Sequence, residues 1–284
     1  MRIRPPNCLS KRPQGRRIAV FLPVQEIEYN YPVKPQTAAR LIEINRRFYR
    51  AFGDAFAHTR RRIQPGIRRL LQETIPTSGD WLDLGCGSGA LAAEWARQGR
   101  RGSYTGLDFS PELLSNARQT AADFSTSGLA LRFAQADLTD PDWPALVAGQ
   151  TFDGVLAFAV FHHLPGSDLH HRVLNQVRGL LRPGGLFIHS EWQFQHSPKL
   201  WSRRLPWEQA GISLTELDPG DTLLDWRHAL PGQAEQVGTR YVHLFSREEL
   251  GALAQETGFT ILDEFESDGQ GGRLGLYQVW QVSV

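Results

Sequence analysis

Short apolar runs recur along this chain, and between them the apolar positions return every three to four residues. The runs, bounded by Gly, Pro, Asp or Ser, read as strands, and the segments between them read as amphipathic helices. Trp81 to Leu84 forms the first strand. YTGLD, residues 104–108, forms a second; a Ser-Pro helix start at Ser110 and Pro111 and an amphipathic helix follow it. LALRFAQADLTD, residues 129–140, alternates as a third strand ending at Asp137 and Leu138. FDGVLAFAVFHHL, residues 152–164, is nearly continuous, as expected of a central parallel strand buried on both faces. LLRPGGLFIHSEW, residues 180–192, reads as a helix end, a Pro-Gly-Gly turn and a fifth strand, and a last helix and two closing strands follow Ser246. The pattern predicts an α/β doubly wound sheet of seven strands with helices on both faces, an N-terminal helical extension and an insertion after the fifth strand.

The candidate chemistry sits where the first strand ends. Gly85, Cys86, Gly87, Ser88 and Gly89 lead into a helix of alanines. Glycines there let the backbone turn sharply and bring a ligand up to bare N–H groups at a helix start. Gly85, Gly87 and Ala90 satisfy the dinucleotide pattern G-x-G-x-x-G/A, a weak match taken alone. Asp83 argues against a dinucleotide, because a carboxylate at the strand end repels a pyrophosphate and attracts a cationic ligand. Asp108 lies 23 residues after Gly85, near the spacing at which an acid accepts hydrogen bonds from ribose hydroxyls. Asp137 ends the third strand, where it could also be a turn cap.

The D-x-G-x-G-x-G loop at Asp83–Gly89 resembles that of class I methyltransferases dependent on S-adenosylmethionine (SAM), and the resemblance covers roughly residues 64 to 284. It implies a Rossmann-like fold and SAM as cofactor. It also implies cofactor contacts from Asp83, Gly85, Cys86, Gly87, Gly89, Asp108, Phe109, Asp137, Leu138 and Ala157, with Asp137 on the adenine amine and the next N–H on the ring. NRRFYRAFGDAFAHTRRRIQPGIRRLL, residues 45–71, resembles the entry segment of methyltransferases that esterify 5-carboxymethyluridine at the tRNA wobble position. Phe56, Thr59, Arg60 and Pro65 stand at corresponding positions, which adds Arg60 to the cofactor set; the tryptophan usual before the proline is Gln64 here. Arg240, Tyr241, His243 and Phe245 match an R-Y-x-H-x-F segment of the same family. Some members of that family need a small activating partner, and no residue here identifies one.

Charge sharpens the question of the acceptor. Residues 1–70 hold 16 Lys/Arg and 4 Asp/Glu, whereas residues 71–284 hold 15 and 26, so the formal total of +1 conceals a strong polarity. Arginines interleaved with Phe48, Tyr49, Phe52 and Phe56 fit a surface that tracks phosphates, such as tRNA, or equally a solvated face paired with the acidic domain. Residues 1–36, rich in Pro and Arg, read as a loosely ordered basic segment; residues 37–284 read as the methyltransferase domain, with a helical entry at 37–75 and a substrate lid at 193–244. Cys8 and Cys86 support neither a disulfide framework nor a zinc site, and no ligand spacing suggests another metal. No apolar stretch approaches the ~18–20 residues of a membrane span, and Pro23 interrupts IAVFLPV, so a cytoplasmic protein is expected.

Four of the eight tryptophans fall at 192, 201, 207 and 226, in or beside the insertion. Trp192, one step past a strand end, reads as a substrate contact, together with Tyr241 and His243; Trp201 and Trp207 suit a small satellite core equally well. His162 and His163 follow the fourth strand, where a general base could sit. For an acceptor already ionised, such as a carboxylate, no base is needed and Arg240 would orient it; for a phenol or amine a histidine becomes important. The sequence therefore leaves two readings open, methylation of tRNA and methylation of a small molecule, with a non-catalytic SAM-binding protein as a third.

Overall fold

The structure is a computed structural model, and it describes residues 33–59, 62–124, 128–228 and 235–283. Two helices precede the sheet: α1 (Pro35–Thr59) and α2 (Pro65–Glu73). Strand β1 (Ser78–Leu84), helix α3 (Ala90–Arg97), β2 (Arg101–Asp108), α4 (Pro111–Ala122), β3 (Leu129–Gln135), β4 (Phe152–Phe158), α5 (Ser167–Leu180) and β5 (Leu181–Trp192) follow. After the insertion come α7 (Arg247–Glu256), β9 (Phe259–Ser267) and β10 (Gly275–Val282); the insertion itself supplies α6 (Pro198–Trp201), β6 (Arg204–Leu205), β7 (Asp221–His228) and β8 (Gln236–His243).

The main sheet has seven strands in the order β3-β2-β1-β4-β5-β10-β9, as the alternation of runs predicts. β1 to β5 pair in parallel, and β10 runs antiparallel to both β5 and β9. The order reverses direction at β1, so the crevice beyond the ends of β1 and β4 is where such sheets bind ligands. β4 carries Val155, Leu156 and Ala157 with no exposed surface, because helices cover both faces. Ser110 caps α4 by accepting from the Leu113 N–H, and Pro111 opens the helix, as the Ser-Pro signature predicts.

The insertion folds as a second sheet, antiparallel in the order β6-β7-β8. It cannot bury its inner face alone, and α1 covers it. Leu41, Phe48 and Phe52 recur at helical spacing along α1; Leu41 packs with Trp207, Ile212, Leu217, Leu223 and Tyr241. Gly238 of β8 lets α1 approach: a Cβ there would lie 2.6 Å from the Phe52 ring and 2.8 Å from Phe48. Trp207 thus belongs to a satellite core, whereas Trp201 is 38% exposed beneath the Arg204 guanidinium. Residues 1–32 fall outside the described residues, as do Arg60 and Arg61, and among the described residues no helix is long and apolar enough to cross a membrane.

Candidate active site

The loop after β1 is held by its neighbour strand. The Gly85 and Cys86 N–H groups both donate to the Leu107 carbonyl, at 2.7 and 3.0 Å. Gly85 turns with φ of +74°, and a Cβ on it would lie 2.5 Å from the Val160 side chain, so side chains are excluded sterically and conformationally. Gly87, with φ of +55°, would project a Cβ into open space on the cavity side. The Asp108 carboxylate fastens this geometry: Oδ2 accepts from the Gly87 N–H at 2.8 Å and Oδ1 from the Ser110 N–H at 2.9 Å. Burial raises its pKa, and those backbone N–H groups oppose the rise.

Two further acids complete this end. Asp83 is buried, accepts a hydrogen bond from the Tyr104 hydroxyl, and has its pKa pushed up to about 7 by burial. A carboxylate so placed favours a ligand that brings a positive charge and disfavours a pyrophosphate. Asp137 accepts from the Thr139 N–H at 2.9 Å and from Arg46 of α1 at 2.6 Å. Burial would raise its pKa, but Thr139 and Arg46 outweigh that and lower it. An open glycine turn, a buried acid with no cation paired to it among the described residues and a second acid tied to the loop together suit a ligand that carries a positive charge and hydroxyl groups.

The other end of the cavity draws on distant segments. His162, in a 3₁₀ turn after β4, is buried, and its Nδ1 lies 3.1 Å from Glu191 Oε2, which also accepts the His162 backbone N–H at 3.1 Å. Glu191 Oε1 lies 3.0 Å from His189 Nδ1. Burial lifts Glu191 well above the usual carboxylate range and drops His189 to about 3, so His189 stays neutral. His163 Nε2 lies 3.0 Å from the Tyr49 hydroxyl of α1, and the Asn45 amide donates to the His163 carbonyl while accepting from the Tyr241 N–H. The Arg240 guanidinium, 4% exposed, stacks 4.6 Å from the Trp192 ring and 5.6 Å from Phe48. Of these, Asn45, Tyr49, His162, His163, Glu191, Trp192 and Arg240 line one cavity of about 620 Å³ together with the glycine loop, within the ~300–1,000 Å³ common for small-molecule sites.

That cavity brings together Asp83, Gly85, Cys86, Gly87, Asp108, Phe109, Asp137, Leu138, His162, His163, Trp192 and Arg240. Four expectations require correction. Gly89 does not line it; its left-handed turn starts α3, and a Cβ there would press on Ala117 of α4 at 3.0 Å. Ala157 is in the core between sheet and helices, one residue before β4 reaches the cavity at Phe158. Tyr241 and His243 point to the other side of β8, since alternate residues on a strand share a face and Arg240 takes the cavity side. The Tyr241 hydroxyl donates to Asp221, and His243 bridges Asp221 at 2.7 Å and Glu249 at 2.9 Å. Arg60 lies outside the described residues.

Sequence reasoning missed Glu191, Asn45, Arg46, Tyr49 and Trp226, all on the cavity wall. Glu191 had a signal: with His189 it places two ionisable residues two apart in an otherwise apolar strand, hence on one buried face. The α1 residues carried none, because their role depends on how a helix distant in sequence lies across the sheet.

Residues 56–264 match a methyltransferase domain family. A protein of Encephalitozoon cuniculi named as a methyltransferase is 28% identical over 76% of this chain and 87% of its own length. The fatty-acid O-methyltransferase of Mycolicibacterium smegmatis is 32% identical over 44% of this chain, which spans only 41% of that relative. Among solved structures, a SAM-dependent methyltransferase from Clostridium acetobutylicum superposes with a TM-score of 0.57 at 16% identity, over 81% of this chain and 99% of that one. The glycopeptide N-methyltransferase MtfA gives 0.55 at 20% identity, over 77% and 89%. With the family match covering most of the chain and the seven-stranded sheet ending at this cavity, the protein belongs to the methyltransferase domain family and is a SAM-dependent methyltransferase.

Proposed function

We propose that this enzyme methylates a small molecule at oxygen or nitrogen, with Asp83 taking the cofactor's ammonium, Asp108 its ribose, and Asp137 with Leu138 its adenine. The observation that carries the small-molecule reading is the far wall of the cavity, where a buried His162–Glu191 pair stands with Trp192, Trp226 and Arg240. When bound, SAM supplies an electrophilic methyl group on a sulfonium. The protein's part is to align the acceptor with that methyl and exclude water, and orientation of this kind contributes about 7–11 kcal/mol in favourable cases. Trp192 and Trp226 offer flat apolar surface to the acceptor's body, and Arg240 favours any anionic group it carries. His162, with Glu191 and the Trp192 N–H against its Nδ1, is the wall residue that takes the proton of a hydroxyl or amine acceptor.

Relatives named as fatty-acid and ubiquinone-biosynthesis O-methyltransferases support this reading over methylation of tRNA. The arginines of the N-terminal helices divide into two sets. Arg46 pairs with Asp137, Arg40 donates to the Ala210 and Gly211 carbonyls, and Arg47 and Arg50 pair with Glu43. Arg46 and Arg40 thus tie α1 to the rest of the fold, while Arg47 and Arg50 keep most of their side-chain surface in solvent. Incubation with SAM and, separately, catechol, 4-hydroxybenzoate, laurate and bulk tRNA tests the proposal by release of S-adenosylhomocysteine (SAH). Turnover is expected with a small acceptor and not with tRNA; transfer to tRNA alone would reverse the assignment.

A further inference from the structure

Tyr104 lies midway along β2 with no exposed surface, edge-on to Trp95 at 5.4 Å, in a core that Trp81, Leu91 and Leu156 fill. A phenylalanine would fill that space equally well, so the hydroxyl requires its own explanation, because burying one without a partner is costly. Its partner is Asp83, across the β1–β2 pairing, where Trp81 is directly opposite Tyr104 and Asp83 is two residues further along the same face. Oδ2 of Asp83 is taken by the tyrosine, and the carboxylate lines the cavity beside Gly85 and Cys86. Besides Tyr104, the ionisable group acting on Asp83 is Asp108 at the end of β2, which supplies no positive charge; the neighbouring Cys86 thiol is buried and feels Asp83, Asp108 and, as the cation, Arg118.

We propose that Tyr104 is a positioning residue for the cofactor's amino end: its hydroxyl fixes the Asp83 carboxylate against the cavity and keeps it as the ionised partner of the ammonium. This role depends on Asp83 receiving that group, as in the proposed function. Burial and Asp108 favour the protonated acid, the Tyr104 hydrogen bond opposes them, and the balance leaves Asp83 near 7. Cofactor uptake is therefore proton-linked. An ammonium binds the ionised acid, so affinity falls as pH drops below about 7.

Calorimetry with SAH and with 5′-methylthioadenosine, which lacks the amino-acid end, separates the contributions. The wild-type protein is expected to bind SAH more weakly at pH 6 than at pH 8, and to bind methylthioadenosine equally at both. Tyr104→Phe removes a hydrogen bond to a charged group, so SAH affinity at pH 7 should drop about tenfold or more, recover partly at pH 8, and leave methylthioadenosine within about twofold. Asp83→Asn should abolish the pH dependence altogether. An unchanged SAH profile in Tyr104→Phe, or equal losses for the two ligands, would overturn the inference. Failure of the wild-type protein to bind SAH at all would instead strike the cofactor assignment itself.

Discussion

The two ends of the cavity are built in different ways. At the cofactor end, all the polar anchors but Arg46 on Asp137 lie close in the chain or on the adjacent strand: Asp108 holds Gly87 and Ser110, and Leu107 holds Gly85 and Cys86. Backbone N–H groups and strand ends do most of the holding, so the geometry follows once β1 and β2 pair. At the acceptor end, the anchors span the molecule. Tyr49 reaches His163 over 114 residues, Asn45 reaches the Tyr241 N–H over 196, and Arg240 stacks on Trp192 from another sheet. Side chains do the holding there, and side chains are easily exchanged. A scaffold with a backbone-defined cofactor end and a side-chain-defined acceptor end can keep one cofactor while changing its acceptor.

Substitutions can break that division. The largest effect is expected at the acceptor end, from His162→Asn. With a phenolic acceptor such as catechol, turnover should fall ~10²–10⁴-fold and the rise of rate with pH should shift, while SAH affinity stays within about twofold. Loss of SAH binding in that variant would mean that the two ends are not separable. Next is Asp108→Ala at the cofactor end, which deprives the Gly87 N–H of its acceptor and, on the proposed assignment, the ribose of a charged one. SAH affinity measured by calorimetry should fall about tenfold to a hundredfold, by the ~1.5–3 kcal/mol of a charged hydrogen bond. If catechol turnover at saturating SAM is lost equally, the acid also serves the acceptor end.

The smallest effect concerns the scaffold that joins the insertion to the main domain. His243 is buried between Asp221 of β7 and Glu249 of α7. Burial by itself would lower its pKa, but the two carboxylates outweigh it and raise the value to about 10. A folded-state pKa above the unfolded ~6.5 stabilises the fold fully below that value, and the contribution declines as pH rises through about 10. Urea midpoints should therefore fall between pH 7 and pH 10 in the wild-type protein. His243→Gln should be destabilised by ~1–3 kcal/mol at pH 7 and lose most of that slope. An equal slope in both proteins would assign the pH dependence elsewhere.

Much of the cofactor end was legible without coordinates. Asp83, Gly85, Gly87, Asp108 and Asp137 sit where the strand-loop-helix reading put them, because spacing along one βα unit translates directly into distance. The misses obey the same logic. Gly89 and Ala157 belong to the right elements, but a shift of one residue on a strand, or a turn toward α4 rather than the cavity, decides which face a residue meets. Tyr241 and His243 followed a motif match, and a strand's alternation put Arg240 alone of the three on the cavity side.

The sequence by itself determined the α/β order, the seven-stranded sheet, the glycine turn and the acids at three strand ends, since each rests on periodicity, turn chemistry or short spacing. Only the tertiary structure decided that residues 193–244 contribute a second sheet roofed by α1, that Glu191 links His162 with His189, and that arginines of α1 and α2 face acids and carbonyls of this same chain. Those outcomes depend on which faces meet across long loops. Side-chain pairs more than a hundred residues apart leave no local pattern, whereas a backbone turn must be written in the residues that make it.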